Sequence, residues 1–418
     1  MLIMNTALLP LARVADLLGV SKETLRRWDR SGKLVSVRHP INGYRMYRES
    51  DLQKFEEIGL LNVTERDSAV GVIAQAGTQE FATIELFAGA GGLAIGLEEA
   101  GLHCKLLSEI DKDACATLIR NRPDWNVIEG DVAKIDFAPY QGHIDVVTGG
   151  FPCQAFSYAG KKLGLEDARG TLFYEFARAV KEVQPLIAVG ENVRGLISHE
   201  NGRTLAGMTS ILNDLGYTVL DPRVLRAIFY DVPQKRERLF IVALRSDFAG
   251  SFEFPKPKDY VLNLKDALKA GVLYPTDVPE SPGQIYPIRK RQILDLVPPG
   301  GYWRDLPEDI QREYMQKSFF LGGGKTGMAR RIAWDEPSLT LTCAPAQKQT
   351  ERCHPDETRP FTVREYARIQ TFPDEWEFSG SVSSQYKQIG NAVPVNLARA
   401  VGQSVASALK SHYTSASS

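Results

Sequence analysis

Thr83-Ile84-Glu85-Leu86-Phe87-Ala88-Gly89-Ala90-Gly91-Gly92 passes from an apolar run straight into a glycine-rich turn, and a helical pattern follows it. Glycines there let the backbone turn tightly and approach a ligand closely, while the N-terminus of the next helix favours electron-rich groups. Many nucleotide-binding folds share such a loop, so its surroundings must specify it. Further apolar runs fall at 104–107, 144–148, 186–189 and 238–244, alternating with longer helical stretches such as 171–183. The alternation predicts an α/β fold, a doubly wound, Rossmann-like domain with a mixed sheet over residues 81–245. Ligands in such folds bind where the strands end.

Those strand ends carry the chemistry-bearing residues. Glu109 stands just past the second run, where an acid binds ribose hydroxyls in dinucleotide folds. Asp131, after Gly130, could accept a hydrogen bond from an amino group. Either acid could instead cap a helix, but their shared placement points to a cofactor pocket. The third run ends in Gly149-Gly150-Phe151-Pro152-Cys153-Gln154-Ala155-Phe156-Ser157. A lone cysteine is commonly a small core residue. Set among prolines and glycines past a strand end, Cys153 reads instead as a displayed nucleophile. Gly190-Glu191-Asn192-Val193 presents an acid in a mostly apolar setting. Pro233-Gln234-Lys235-Arg236-Glu237-Arg238 places Arg236 and Arg238 on one face of an extended chain, able to grip an anion or a carbonyl together. The alternatives are a cap for Glu191 and a solvated ion-pair ladder for the arginines.

A chain of 418 residues exceeds what one hydrophobic core usually serves, so two or three domains are expected. With 43% hydrophobic and 24% charged residues it has the composition of a soluble globular protein. No apolar run approaches the roughly 18 residues that span a bilayer, and the first residues lack the basic region of a signal peptide. No membrane association and a cytoplasmic location are therefore expected. Five scattered cysteines without a Cys-x-x-Cys pair encode neither a disulfide framework nor a metal site. The net charge of −1 means that nucleic-acid contact must come from local patches.

One such patch lies in residues 1–60. Helical spacing at 11–18, a turn at Gly19-Val20, an N-cap at Ser21 and a second helix over 22–30 make a helix-turn-helix pattern. Extended stretches at 34–38 and 44–47 across Asn42-Gly43 would form a wing, and Ser50 can cap a helix that begins at Asp51. Between Lys22 and Arg48 eight basic residues face two acids, about +6 locally. The unit resembles the winged helix-turn-helix of the MerR family, which implies duplex contact through the second helix, with Arg26, Arg27 and Arg30 toward the major groove. The alternative is a scaffolding domain with a solvated basic face. Residues 61–80 read as a linker. Over 246–380 the strand–helix rhythm is lost, to about residue 357, in prolines and in Gly300-Gly301 and Gly322-Gly323-Gly324, which marks a second lobe. Residues 381–418 are helical and return to the domain of residues 81–245.

The glycine loop, Pro152-Cys153-Gln154, Glu191-Asn192-Val193, Gln234-x-Arg236-x-Arg238, a divergent region, Arg364-Glu365-x-Ala367-Arg368-Ile369-Gln370-x-Phe372-Pro373 and Gly390-Asn391-Ala392-Val393-Pro394 follow one another in an order similar to that of the DNA cytosine-5 methyltransferase family. The resemblance covers residues 81 to about 405. It implies a site-specific enzyme that moves a methyl group from S-adenosylmethionine to carbon 5 of cytosine in double-stranded DNA. It further implies the modification half of a restriction-modification system, paired with a restriction endonuclease of the same site specificity and monomeric on its substrate. The reactive atoms are inaccessible in a stacked duplex, so the cytosine must be flipped out. Cys153, with Gln154 beside it, would add as a thiolate to carbon 6. Glu191 would touch ring nitrogen 3 with a raised pKa, Arg238 would hold the carbonyl at position 2, and Arg236 with Gln234 would orient the neighbouring backbone.

By the same resemblance, Phe87, Gly89, Gly91, Gly92, Glu109, Ile110, Asp131, Val132, Pro152 and Asn391 would bind the cofactor. Ile110 stands where some members carry an aromatic, so stacking on the adenine would be weaker. Ser157, Arg169 and Gln234 are DNA-contact candidates, and the second lobe would recognise the target through positions such as Lys325, Arg330, Arg331 and Arg352. Two rival readings fit the sequence less well. A relative acting on transfer RNA usually carries a Cys-Phe-Thr triplet, absent here, and a DNA-binding regulator with a decayed catalytic part would have lost motif residues, all of which are intact. Enzymes that methylate exocyclic amines need an Asp/Asn/Ser-Pro-Pro-aromatic motif, also absent.

Overall fold

The computed structural model describes residues 8–18, 20, 22–38, 45–52, 80–152, 171–321 and 325–416. It divides into two compact units, Met1–Gly77 and Thr78–Ser418.

In the first unit, strand β1 (Leu8–Pro10) leads into helices α1 (Leu11–Leu18) and α2 (Lys22–Arg30), followed by β2 (Val37–Arg38), β3 (Arg45–Arg48) and the short α3 (Glu49–Leu52). Both helices fall where the apolar spacing placed them. The three strands form an antiparallel sheet in the order β1-β3-β2. The wing hairpin is present, with Val37 opposite Met46, while Leu34 turns inward to the core instead of extending the strand. Strand β1 was not legible in the sequence because three residues carry no period. Val14, Leu18, Leu25 and Tyr47 are the centre of a small core. Asp29 fastens α2 to the wing through Ser36 N at 2.8 Å and Arg45 Nε at 2.7 Å. Ser21 and the Asn42-Gly43 turn lie outside the described residues.

The second unit is built on β4 (Phe81–Leu86), α4 (Gly92–Glu99), β5 (Leu102–Glu109), α5 (Lys112–Asn121), β6 (Val127–Glu129), β7 (Val146–Gly149), α6 (Leu172–Val183), β8 (Ile187–Val193), α7 (Arg203–Asp214), β9 (Tyr217–Val219), β10 (Arg223–Arg226), β11 (Gln234–Lys235) and β12 (Glu237–Arg245). The eight-stranded sheet runs β6-β5-β4-β7-β8-β12-β10, with β9 also on β12. The strands from β6 to β8 are parallel, and β12 is antiparallel to β8. The chain leaves β4 toward β5 and β6, then returns to lay β7 on the other side. The carboxyl ends of β4 and β7 therefore form the topological switch point at which doubly wound sheets bind ligands. Apolar residues on both faces explain the near-continuous hydrophobic runs. Leu86, Val147, Phe151, Phe173, Phe176 and Ile241 fill the core on one side. Thr171 caps α6 by accepting from Tyr174 N at 3.2 Å.

Beyond the sheet come α8 (Leu264–Leu268), α9 (Ile288–Asp295), α10 (Glu308–Met315), β13 (Ser338–Leu339), α11 (Val363–Ile369), α12 (Val382–Asn391) and α13 (Val395–Ala416). A separate core of Leu294, Val297, Trp303, Tyr314, Met315 and Cys353 lies in this region. Residues 361–378 pack on α8 and also on α4 and α5, and Trp376 donates its indole N–H to Ala90 O at 3.1 Å. Helix α13 seals α4. Cβ atoms at Gly92 and Gly96 would come within 2.3 Å of Val393 O and 2.5 Å of Arg399 N. Among the described residues no helix is long and apolar enough to cross a membrane.

Candidate active site

A cleft of about 740 Å³ opens at the switch point, lined by the chain leaving β4, β5, β7 and β8 and by the end of α12. That volume falls in the range of roughly 300–1,000 Å³ usual for small-molecule sites. Phe87, on leaving β4, takes φ 61°, a left-handed conformation rare for an aromatic residue and frequent at functional turns. Gly91 then enters α4 at φ 87°, with Leu118 and Trp376 so near that no side chain fits. The Glu109 carboxylate is fixed by three backbone donors: Gly89 N at 2.7 Å, and Ile110 N and Asp111 N at 2.8 Å each. Three such bonds keep this acid in one orientation at the wall of the cleft. Ile110 beside it is 70% exposed, an apolar surface offered to a ligand.

Glu85, in mid-strand on β4, also borders the cleft although only 1% of it is exposed. Burial, and secondarily the Glu109 charge, hold its carboxyl well above the usual range. Its Oε2 has no hydrogen-bond partner.

At the other end of the cleft Glu191, on β8, faces Arg238, on β12, with Nε 2.6 Å from Oε1. The contact is an ion pair without aligned hydrogen-bond geometry, so Oε1 remains without a hydrogen bond. Burial raises the Glu191 pKa, opposed by the guanidinium groups of Arg238 and Arg236. The absence of a side chain at Gly150 admits this carboxyl, since a Cβ there would stand 3.1 Å from Oε2. Asn192 donates Nδ2 to Phe151 O at 2.7 Å and accepts from Val193 N at 2.8 Å. It thus clamps the chain leaving β7 just before Pro152, another cleft residue.

Phe87, Gly89, Gly92, Glu109, Ile110, Pro152, Glu191, Arg238 and Asn391 are brought together around this one cleft. Asp131 and Val132 are not among its lining residues. Asp131 caps a short helical turn by accepting from Ala133 N at 3.0 Å and borders a separate, smaller cleft, while Val132 is buried. The joint grip expected of Arg236 and Arg238 is replaced by a division of labour. Arg236 sits at the corner between β11 and β12, is 1% exposed, and donates to Leu341 O at 3.2 Å and Gly390 O at 2.8 Å. Desolvation pulls its pKa down to about 9. Gln234, expected at DNA, is fully buried and bonded to Gln370 Oε1 and Leu341 N. Its amide joins two segments of the interior.

The basic residues assigned to target recognition are also turned inward. Arg330 pairs with Glu336 at 2.6 Å and bonds Gly300 O, and Lys325 bonds Ser318 O and Leu321 O. Arg331 donates to Val297 O, Leu294 O, His354 O, Pro355 O and Thr358 Oγ1, and Arg352 to Thr340 O and Glu351 O. The physical reason is the scarcity of ladders in this lobe. Carbonyls left without strand or helix partners need donors, and a guanidinium supplies five. In the first unit Arg26 and Arg27 are exposed on α2, Arg26 bonded to Glu23 at 3.2 Å. Cys153, Gln154, Ser157 and Arg169 lie outside the described residues. Glu85, Asn192 and Lys387 were missed. A charged residue inside an apolar run was the available signal for Glu85, whereas Lys387, which reaches Asp111 at 2.7 Å across the cleft wall, gave none.

A parallel sheet with a nucleoside-sized cleft at its switch point, one ordered acid at a strand end and a buried carboxyl–guanidinium pair opposite, defines an α/β enzyme of the nucleotide-cofactor-binding type. Residues 81–407 match the family C-5 cytosine-specific DNA methylase, and residues 12–47 match the MerR family regulatory protein. The chain belongs to the C-5 cytosine-specific DNA methylase family. It is 65% identical over 397 residues to the type II methyltransferase M.Eco47II of Escherichia coli, covering 94% of each chain. It is 57% identical over 396 residues to M.PspPI of Psychrobacter sp. (strain TA137), again 94% of each. The crystal structure of a DNA modification methyltransferase encoded within an E. coli prophage superposes with a TM-score of 0.62 at 22% identity, covering 79% of this chain and 100% of that one. DNMT2 of Spodoptera frugiperda superposes at 0.55 and 16% identity, covering 80% and 100%. These two likenesses bear on the fold alone.

Proposed function

We propose that this protein methylates carbon 5 of a cytosine turned out of duplex DNA, with S-adenosylmethionine as donor and Cys153 as nucleophile. It serves as the modification half of a restriction-modification system whose nuclease reads the same site. The observation that carries the reading is the buried Glu191–Arg238 pair, which shares one cleft with the glycine loop and with Pro152, the residue before Cys153.

The residues present fit the donor. Glu109 offers a fixed acceptor to ribose hydroxyls, Ile110 and Phe87 offer apolar surface to an adenine, and the orphaned Glu85 Oε2 suits an ammonium group. When bound, S-adenosylmethionine supplies an electrophilic methyl on a sulfonium sulfur. The chain does the rest. Cys153 adds through sulfur to ring carbon 6, which loads electron density onto carbon 5. Once carbon 5 carries the methyl group, loss of its proton to water expels the Cys153 sulfur and restores the ring. Glu191, whose pKa burial raises against the pull of the two guanidinium groups, acts in its protonated form as donor to ring nitrogen 3 as negative charge develops there. Arg238 holds the carbonyl oxygen at position 2, and Arg236 and Gln234 fix the backbone behind it. The exposed Arg26 and Arg27 of α2 contact duplex DNA, and the first unit represses the promoter of its own gene or of the partner nuclease.

Duplexes carrying 5-fluorocytosine at the target trap a covalent adduct with the wild-type protein and S-adenosylmethionine. Cys153→Ser abolishes both adduct and turnover. Turnover that survives in the serine variant refutes the nucleophile, and the absence of methyl transfer to any duplex refutes the whole reading. Footprinting upstream DNA with the full chain and with Arg26→Ala/Arg27→Ala tests the first unit.

A further inference from the structure

Beside the Glu191–Arg238 pair lies a three-membered ion cluster that the reaction does not use. Glu237, the first residue of β12, places Oε2 2.9 Å from Arg194 Nη1 and Oε1 3.6 Å from Arg226 Nε. Its position is fixed by the sheet. Glu237 lies opposite Arg226 in the β10–β12 register, its carbonyl accepts from Arg238 Nη1 at 2.9 Å, and Arg194 follows Val193, a cleft residue opposite Arg238. The cluster therefore stands at the same end of the sheet as the cleft, with Arg194 and Glu237 one residue along the chain from Val193 and Arg238, although none of its three members lines the cleft.

The two arginines differ in exposure, and that difference assigns their roles. Arg226 is 8% exposed and packed with its guanidinium 5.2 Å from the Phe229 ring centroid, whereas Arg194 is 58% exposed. An exposed ion pair of this kind is worth little in water and exchanges readily. If Arg194 swings away, Glu237 keeps Arg226, so no buried charge is left unpaired. Arg331 and Arg352 in the second lobe, by contrast, are tied to carbonyls and would leave those unsatisfied if they moved.

On this basis, and resting on the proposed methylation of an extruded cytosine, we infer that Arg194 is a DNA-positioning residue that grips a phosphodiester flanking the extruded nucleotide, with Glu237 as the resting partner that the phosphate displaces. A nucleotide rotated out of the helix carries its two phosphates toward the mouth of the pocket that receives the base. A guanidinium matches a phosphate with two parallel donors, and the phosphate offers more negative charge than the shared carboxylate.

The test measures equilibrium binding of duplexes containing the methylated cytosine against salt for wild type, Arg194→Gln and Glu237→Gln. Arg194→Gln is expected to bind about tenfold more weakly at low salt, with the salt slope reduced by about one. Affinity for S-adenosylmethionine without DNA should stay as in wild type. Glu237→Gln is expected to bind DNA about three- to tenfold more tightly, because the competing charge is gone. A methylphosphonate at one phosphate flanking the target should erase the difference between wild type and Arg194→Gln. The inference is overturned if Arg194→Gln matches wild type at every salt concentration, if its defect persists on both methylphosphonate duplexes, or if Glu237→Gln weakens binding as a structural role would require. Wild-type protein that binds no duplex would overturn both this inference and the methylation reading, which the wild-type control separates from a failure at Arg194 alone.

Discussion

Asn192 Nδ2 donates to the carbonyl of Phe151 at 2.7 Å, so the end of β8 holds the chain that leaves β7 immediately before Pro152. The bond is buried, and Phe151 is further held by edge contact with Phe173 at 5.3 Å between ring centroids. The neighbouring strands β7 and β8 are thereby joined at the cleft, where the segment proposed to carry the nucleophile begins.

Asn192→Ala should cost about 1–3 kcal/mol, since it leaves a buried carbonyl unsatisfied. Single-turnover methylation should slow by about tenfold or more, as expected for a reacting group displaced by an ångström. Binding of S-adenosylmethionine, measured by calorimetry, should change little. Equal losses in binding and in rate would contradict a role confined to that segment.

Glu85 carries a pH dependence of defined sign. Its folded pKa is raised by burial and then by Glu109. Its contribution to stability is complete below the ordinary carboxyl range and is lost as pH rises toward the folded value, by about 1.4 kcal/mol per unit. Glu85→Gln should therefore show a smaller drop in melting temperature between pH 5 and pH 8 than wild type, in the absence of cofactor. Affinity for S-adenosylmethionine should fall in the same variant. Parallel melting curves for the two proteins would refute the assignment.

Ile110 exposes its side chain in the cleft wall beside the Glu109 carboxylate. Replacing it with Phe should add about 0.5–1.5 kcal/mol of stacking with the adenine, roughly two- to tenfold in the KM for S-adenosylmethionine. The KM for DNA should not move. Steady-state kinetics at saturating DNA would read the change, and an unchanged or higher KM counts against an adenine at that wall.

Arg331 binds four backbone carbonyls and a threonine hydroxyl inside the second lobe. Arg331→Ala should destabilise that lobe by at least about 3 kcal/mol, given about 1.5–3 kcal/mol for a hydrogen bond to a charged group. Limited proteolysis should open residues 286–353 first, while β4 to β8 stay resistant. A variant as resistant as wild type but weak on DNA would restore Arg331 to direct target contact.

Gly96 touches α13 so closely that a Cβ would meet Ala398 Cβ and Val395 O at 2.5 Å. Gly96→Ala should lower stability by about 1–3 kcal/mol through overpacking. Thermal melting is the readout, and a neutral result would mean that α13 can shift outward freely.

Local sequence alone set the strands and helices of both units wherever a long enough period existed. The apolar runs gave β4, β5, β7, β8 and β12, and the spacing 11–18 and 22–30 gave α1 and α2. It also marked Glu109, Glu191 and Arg238, because acids and bases at strand ends are legible one segment at a time. Tertiary structure alone decided what each charged side chain faces. Gln234, Arg236, Arg330 and Arg331 look like surface or ligand groups in a linear pattern, yet their partners are carbonyls and side chains up to 155 residues away, as between Arg236 and Asn391. Burial is a property of the packed chain, so the same guanidinium reads as a DNA contact in one dimension and as an internal strut in three. The carboxyl of Glu85 shows the reverse: hidden in an apolar run, it acquires its meaning only when the sheet places its unpaired oxygen in a cleft.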